Sequence, residues 1–183
     1  MAVLIAFLRA VNVGGTGIIK MAALKQMFDE LGFKDARTLL QSGNVVFRAR
    51  ATPDAAAKKI AAAIKKAFGF NIDVMVRSAD ELRQAAAENP YPEAARDDPS
   101  HLVVTFLASA PTTAPIKALK ASKFAIEEFD VRGKHAYTNY ADGIGTSKFT
   151  PALVEKGLQT RGTGRNWNTV TKLIAIADEL ERQ

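Results

Sequence analysis

The order of predicted elements in this 183-residue chain indicates an α+β protein. It predicts two ferredoxin-like (split β-α-β) halves with antiparallel sheets and an added C-terminal helix. Patterns in the first half run β-α-β-β-α-β, and the second half repeats β-α-β-β before a further helix. Both halves contain a helix opened by Thr-Pro, at Thr52 and Thr150. We therefore expect a ferredoxin-like subdomain over residues 1–77 and a second one, with the C-terminal helices, over residues 78–183.

Local patterns justify each element of the first half. Ala2–Leu8 is a continuous apolar run of strand length, and the glycine-rich loop Val11–Gly17 follows it. Apolar residues at helical spacing predict a helix over Met21–Leu31, which Gly32 ends. The other predicted elements are strands Ala36–Gln41 and Asn44–Arg50, joined at Ser42-Gly43, a helix opened by Thr52-Pro53, and the alternating strand Asn71–Arg77.

The second half begins with an acidic helix, Ser78–Glu88, and the proline-containing loop Asn89–Pro99. Its further predicted elements are strand His101–Ala108, helix Pro115–Ala121, strands Ala125–Val131 and Ala136–Tyr140, helix Pro151–Leu158 and a last helix from about Asn166 to Glu181. The intervening segment Thr160–Trp167 holds two glycines and two arginines, and we predict it to be a loop that opens the last helix.

Composition excludes several classes of site. The chain has no cysteine, which rules out disulfides, thiolate zinc sites and cysteine nucleophiles. Two histidines are too few for a metal site built on several imidazoles. The longest apolar run, Met1–Leu8, is far shorter than a membrane span, and no cleavage pattern accompanies it. We therefore expect a cytoplasmic protein with no membrane partner.

Charge is unevenly distributed. Residues 1–77 hold 12 Lys and Arg against 5 Asp and Glu, whereas residues 78–110 hold 2 against 6. A basic first half favours an anionic partner there, either a nucleic acid or a phosphorylated or carboxylated ligand. The alternative is that these charges only keep the protein soluble.

The predicted topology brings the loop after the first strand to the same sheet edge as the first hairpin. The polar and glycine residues expected to meet there are Arg9, Asn12, Gly14, Gly15, Gln41, Ser42, Gly43 and Asn44. Amides, a guanidinium and approachable glycine backbone suit an anion or a planar polar ligand. The alternative is that these residues only turn the chain and cap the hairpin. Because the loop has neither a Walker nor a dinucleotide fingerprint, we assign no cofactor.

A second polar cluster lies at the start of the last helix, where Arg165 and Asn166 follow the segment's two glycines. Helix N-termini offer N–H groups to negative charge, so we count both residues as candidate ligand-binding residues. No nucleophile and base occur together in a recognisable pattern, so no catalytic residue and no metal ligand is assigned.

Three strings carry a resemblance to a known family: LRAVNVGG (Leu8–Gly15), LLQSGNVVF (Leu39–Phe47) and RNWNTVTKL (Arg165–Leu173). They resemble the signature blocks of a largely bacterial family of proteins of unknown function, domain of unknown function sixteen-ninety-seven. The resemblance implies two ferredoxin-like α/β halves and supplies no activity.

Three functions fit these residues. The first is binding of a nucleic acid or phosphorylated ligand at the first-loop edge. The second is a small-molecule enzyme with Arg9 and Arg165 orienting an anionic substrate, and the third is a protein-interaction module without catalysis.

Overall fold

The computed structural model of the chain describes residues 1–15, 17–124 and 127–183. The chain forms two compact units, one made of Met1–Arg83 with Lys172–Gln183 and the other of Gln84–Thr171. Each unit contains a four-stranded antiparallel sheet. The predicted α+β class with two ferredoxin-like halves is confirmed.

The first unit has the strand order β2-β3-β1-β4. Its elements are β1 (Ala2–Leu8), α1 (Met21–Glu30), β2 (Lys34–Leu39), β3 (Asn44–Ala49), α2 (Pro53–Phe68) and β4 (Val74–Ser78), after which α3 (Ala79–Ala87) begins. At the end of β1, Phe7 lies opposite Asn44 and Leu8 lies opposite Val74. The end of β1 and the starts of β3 and β4 therefore share one edge of the sheet, which we call the first-loop edge.

Helices α1 and α2 pack on one face of this sheet, where Leu4, Ala6 and Leu8 point. Phe47 contributes to the same core, with its ring centroid 5.0 Å from that of Phe28. Ile5, on the other face of β1, is also fully buried. Burial on both faces explains why β1 is a continuous apolar run rather than an alternating one.

The second unit has the equivalent order β6-β7-β5-β8. Its elements are α4 (Pro92–Asp97), β5 (Leu102–Leu107), α5 (Thr113–Lys120), β6 (Glu128–Arg132), β7 (His135–Asn139), α6 (Pro151–Leu158) and β8 (Gly162–Asn166), and α7 (Trp167–Glu181) follows. Helix α6 begins as predicted, because the Thr150 side chain accepts a hydrogen bond from Leu153 N and Pro151 occupies the first turn.

The loop predicted over Thr160–Trp167 is wrong, because Gly162–Asn166 is strand β8, paired with β5. The two glycines in β8 allow side chains of β5 to approach its backbone closely, and they do not serve as flexible loop residues. A Cβ on Gly162 would lie 2.7 Å from Thr105 Cγ2, and one on Gly164 would lie 2.9 Å from Val103 Cγ1. In this strand, glycine makes room for the branched side chains of its neighbour.

Three other differences from the prediction exceed two residues. The loop expected over Asn89–Pro99 contains α4, in which Pro92 takes the first turn and Ala95 N donates to Tyr91 O at 3.1 Å. The last strand of the first unit begins at residue 74 instead of 71, because its partner β1 ends where the chain turns at Ala10. Strand β6 begins at residue 128 instead of 125, and residues 125 and 126 lie outside the described part of the chain.

Candidate functional site

The loop after β1 and the β2–β3 hairpin meet at the first-loop edge, as the predicted topology requires. One side chain joins them: Asn12 Nδ2 donates to Gln41 O at 2.7 Å and to Ile19 O at 3.0 Å. Asn12 Oδ1 also accepts from Ile19 N at 2.8 Å. Leu8 N donates to Gly43 O at 2.9 Å and fixes the hairpin against the end of β1. Both amide N–H donors of Asn12 and one acceptor lone pair of its Oδ1 are therefore used within the chain.

The backbone at this edge is strained. Three of the five described non-glycine residues with positive φ lie here: Ala10 at 56°, Asn12 at 55° and Leu40 at 59°. Asparagine tolerates this left-handed conformation, whereas for other L-residues it costs about 1–2 kcal/mol. Such conformations persist only where the surrounding structure holds them, and they are concentrated at ligand-binding sites.

Glycines at the edge serve two different purposes. Gly43 has φ 72°, and a Cβ there would lie only 2.8 Å from Leu8 Cβ, so packing excludes any side chain. Gly14 and Gly15 also have positive φ, at 60° and 77°, but a Cβ on either would meet nothing within 4 Å. Both residues are exposed. Among the described residues, the space where a Cβ of Gly14 or Gly15 would lie is therefore open.

Arg9 follows β1 directly and brings positive charge to the edge. Its backbone N–H donates to Asp73 O at 3.0 Å, and Nη1 lies 4.0 Å from Asp73 Oδ2. The two side chains are 30% and 47% exposed. An exposed ion pair of this length contributes about 0–1 kcal/mol to stability.

Ser42 and Asn44 close the hairpin. Asn44 is fully buried, and its Nδ2 donates to Leu39 O and to Ser42 Oγ, each at 3.0 Å. Gln41, between the two ends of the turn, is exposed. Gln41 is therefore accessible to solvent, while Asn44 fixes the turn.

Arg165 lies on β8 in the second unit, and its side chain is buried, with 9% exposed. Its Nη1 donates to Thr163 Oγ1 at 2.7 Å and to Gly164 O at 2.8 Å. Burial lowers the pKa of the Arg165 guanidinium to about 10, so the group still carries its charge at neutral pH. Arg165 thus lies within a sheet, whereas the glycines beside it in the sequence had predicted an open loop.

Asn166 caps α7. Its Oδ1 accepts hydrogen bonds from Thr169 N at 3.0 Å and from Thr169 Oγ1 at 2.9 Å. This is the usual pairing of an N-cap side chain with the third helical residue. Asn166 and Arg165 belong to the second unit, whereas the other candidate residues belong to the first.

A second buried arginine escaped sequence reasoning. Arg77 on β4 is 4% exposed and lies opposite Ile5, as Arg165 lies opposite Val104 on β5. Its Nη1 donates to the carbonyl of the preceding residue, the same contact that Arg165 makes. Burial lowers the pKa of Arg77, and the carboxylates of Glu81 and Asp54 act against that shift. The equivalence follows from the register of β4 against β1 and of β8 against β5, which the sequence alone does not give.

The second unit contains an acidic pocket of about 440 Å³ that the sequence did not predict. Its lining residues are Pro90, Tyr91, Pro92, Glu93, Ala94, Asp97, Asp98, Glu128, Asn139 and Ala141. Burial, with help from the carboxylates of Asp130 and Glu128, raises the pKa of Tyr91 to about 12. Negative charge makes this pocket unsuited to anions. No group of three or more acidic or histidine side chains within the described residues is arranged to hold a metal ion.

These observations define the class: an α+β protein of two ferredoxin-like units, the first with a glycine-rich, partly basic edge. The chain belongs to the family described as protein of unknown function DUF1697, whose model matches residues 1–137. The resemblance to this family is thereby confirmed; the first two sequence blocks lie within the matched residues, and the third, Arg165–Leu173, lies beyond them.

One solved structure supports the fold over the whole chain. The protein is similar to the conserved bacterial protein SP0830 from Streptococcus pneumoniae, with a TM-score of 0.76 and 16% sequence identity. The match covers 96% of this chain and 98% of that chain. At this identity the likeness concerns the fold alone. No curated protein matches the sequence, and no helix within the described ranges is long and apolar enough to cross a membrane.

Proposed function

We propose that this protein binds a small phosphorylated ligand at the first-loop edge. The observation that carries the proposal is that one short stretch of chain after β1 holds both the partly exposed side chain of Arg9 and the exposed glycine backbone of Gly14 and Gly15. Backbone N–H groups and arginine are the donors that phosphate oxygens prefer. The excess of basic residues in residues 1–77 adds a favourable long-range field.

The hydrogen bonds divide the candidate residues by role. Asn12, Asn44 and Ser42 hold the loop and the hairpin in place. The groups proposed to contact the ligand are Arg9, the backbone of Gly14 and Gly15, and the Gln41 side chain. A site whose shape is fixed by internal hydrogen bonds loses less entropy on binding, which favours recognition of a small anion.

A small ligand fits better than a nucleic acid recognised on the sheet. RNA-binding sheets of this topology stack bases on exposed aromatic residues. Here Phe7 and Phe47, the aromatic residues of β1 and β3, are both fully buried. The first sheet therefore has no stacking platform on these strands.

Catalysis by Ser42 is not favoured by its contact with Asn44. Asn44 Nδ2 donates to Ser42 Oγ, and an amide N–H donor cannot take the hydroxyl proton. We therefore propose binding and assign no reaction.

Calorimetric titration with inorganic phosphate and pyrophosphate tests the proposal. Arg9→Gln should weaken binding about tenfold or more, since a charge-assisted hydrogen bond contributes about 1.5–3 kcal/mol. Asp73→Asn should strengthen it about two- to fivefold, because it removes a competing carboxylate. Arg50→Gln is the matched control: Arg50 is also exposed, but it follows β3 at the opposite end of the sheet.

Equal affinities of the Arg9 and Arg50 variants would refute the site, and so would absence of phosphate binding by the wild type. Short RNA and DNA oligomers form a second arm, at about 50 and 200 mM salt. Binding to oligomers that is tighter than to pyrophosphate and falls steeply with salt would replace the small ligand by a nucleic acid.

A further inference from the structure

Exposed apolar side chains are concentrated at the first-loop edge. Among the described residues, six large hydrophobic side chains are exposed, and three of them belong to this edge: Val13 at 59%, Ile18 at 68% and Leu40 at 55%. Single exposed hydrophobic residues are common on protein surfaces. A group of them beside polar donors marks an interaction site.

The hydrogen bonds of Asn12 place these three residues near one another. Asn12 is bonded to Ile19 and to Gln41 at 2.7–3.0 Å. Val13 follows Asn12 in the chain, Ile18 precedes Ile19, and Leu40 precedes Gln41. Because neighbouring Cα atoms are about 3.8 Å apart, all three side chains start one residue away from the same hydrogen-bonded junction.

Leucine at position 40 is favoured neither by the backbone nor by packing. Its φ of 59° suits glycine or asparagine, and the residue is 55% exposed. Within the described part of the chain, Leu40 therefore contributes little to the stability of the fold. A hydrophobic contact with a bound molecule gives the side chain a role that the isolated fold does not.

Resting on the proposed function, we infer that the ligand is a phosphate monoester of an apolar alcohol. Its phosphate lies against Arg9 and the backbone of Gly14 and Gly15, and its hydrocarbon covers Val13, Ile18 and Leu40. The two subsites adjoin, since Gly14 directly follows Val13. Charge complementarity selects an anion over a neutral lipid or alcohol of the same length.

The test compares inorganic phosphate, methyl phosphate, butyl phosphate and hexyl phosphate, with hexanol as the uncharged control. Affinity should rise with each methylene that reaches the patch, by about two- to fourfold, which makes hexyl phosphate more than tenfold tighter than methyl phosphate. Hexanol should not bind measurably, because it lacks the anion.

Variants then locate the hydrocarbon. Leu40→Asn and Ile18→Ser should each reduce the gain from methyl to hexyl phosphate at least threefold and leave inorganic phosphate affinity unchanged. Asparagine accepts the left-handed backbone at position 40, so this variant should fold at least as stably as the wild type. Ile144→Ser removes an exposed hydrophobic residue of the second unit, 43% exposed, and should change none of these affinities.

The outcomes separate the two proposals. If inorganic and methyl phosphate bind in an Arg9-dependent manner but chain length adds nothing, the inference about the apolar group is wrong and the proposed function stands. The same holds if the gain from chain length survives in both the Leu40 and the Ile18 variants. If no phosphate binds at all, the proposed function fails and the inference fails with it.

Discussion

Replacing Gly43 by alanine should destabilise the first unit strongly. The backbone at Gly43 has φ 72°, and an added Cβ would lie 2.8 Å from Leu8 Cβ and 3.3 Å from Val11 Cβ. The left-handed backbone costs alanine about 1–2 kcal/mol. Relief of the overlap requires movement of β1 or of the hairpin, at about 1–3 kcal/mol. We therefore expect the free energy of unfolding to fall by about 2–5 kcal/mol, which lowers the melting midpoint by about 4–20 °C for a chain of this size.

Gly14→Ala separates the two terms of this estimate. Gly14 has φ 60°, but a Cβ there meets nothing within 4 Å, so only the backbone term applies. Urea unfolding followed by circular dichroism should show Gly43→Ala less stable than Gly14→Ala by about 1–3 kcal/mol, with unchanged m-values. Equal losses in the two variants would refute the close contact between the hairpin and β1.

Three further predictions concern other parts of the fold. Asn12→Ala should cost about 2–3 kcal/mol, since it removes three hydrogen bonds, and hydrogen exchange of the Ile19 amide should become faster. Burial raises the pKa of Tyr140 to about 12. The folded protein favours the neutral phenol, so the stabilisation that Tyr140 provides is fully present below about pH 10 and is lost as the pH rises toward 12. Urea titrations at about pH 9–11 should therefore show a smaller decline in the free energy of unfolding with pH for Tyr140→Phe than for the wild type. Gly162→Ala places a Cβ 2.7 Å from Thr105 Cγ2 and should therefore lower the free energy of unfolding. Thr105→Ser removes the methyl group and should recover about 0.5–2 kcal/mol of that loss. Strict additivity of the two substitutions in a double-mutant cycle would contradict this contact.

The fold was predictable wherever local pattern and tertiary role coincide. The continuous apolar run of β1 follows from burial on both faces, and the Thr-Pro starts of α2 and α6 follow from capping chemistry that acts within one turn. In the first unit the order of elements then sufficed for the sheet topology, because short connections leave few ways to arrange β-α-β-β-α-β.

Strand β8 was not predictable because glycine occurs in loops and in strands for opposite physical reasons. In an exposed loop it supplies flexibility, and in a strand it makes room for large neighbours. The side chains that require Gly162 and Gly164, Thr105 and Val103, lie about sixty residues away in the sequence. Only the pairing of β8 with β5 shows that Gly162 and Gly164 belong to a strand.

The candidate site was predictable as a place but not in the roles of its residues. The sequence predicted that the loop after β1 meets the hairpin, and the Asn12–Gln41 hydrogen bond shows that it does. It did not distinguish amides that the chain uses internally, such as those of Asn12 and Asn44, from groups that face solvent. This distinction depends on which backbone donors and acceptors the turns leave unsatisfied, and these are known only once φ and ψ are known.

The strain at the edge and its hydrogen bonds belong to one arrangement. Left-handed residues at Ala10 and Leu40 would open to ordinary conformations if nothing restrained them. Asn12 supplies the restraint, since its amide is bonded on one side to the loop at Ile19 and on the other to the hairpin at Gln41. Closing the loop alone would require only the hydrogen bonds to Ile19, so the bond to Gln41 is what joins the loop to the hairpin. Holding two segments together, with exposed glycines and apolar side chains beside the junction, is what a preorganised binding edge requires.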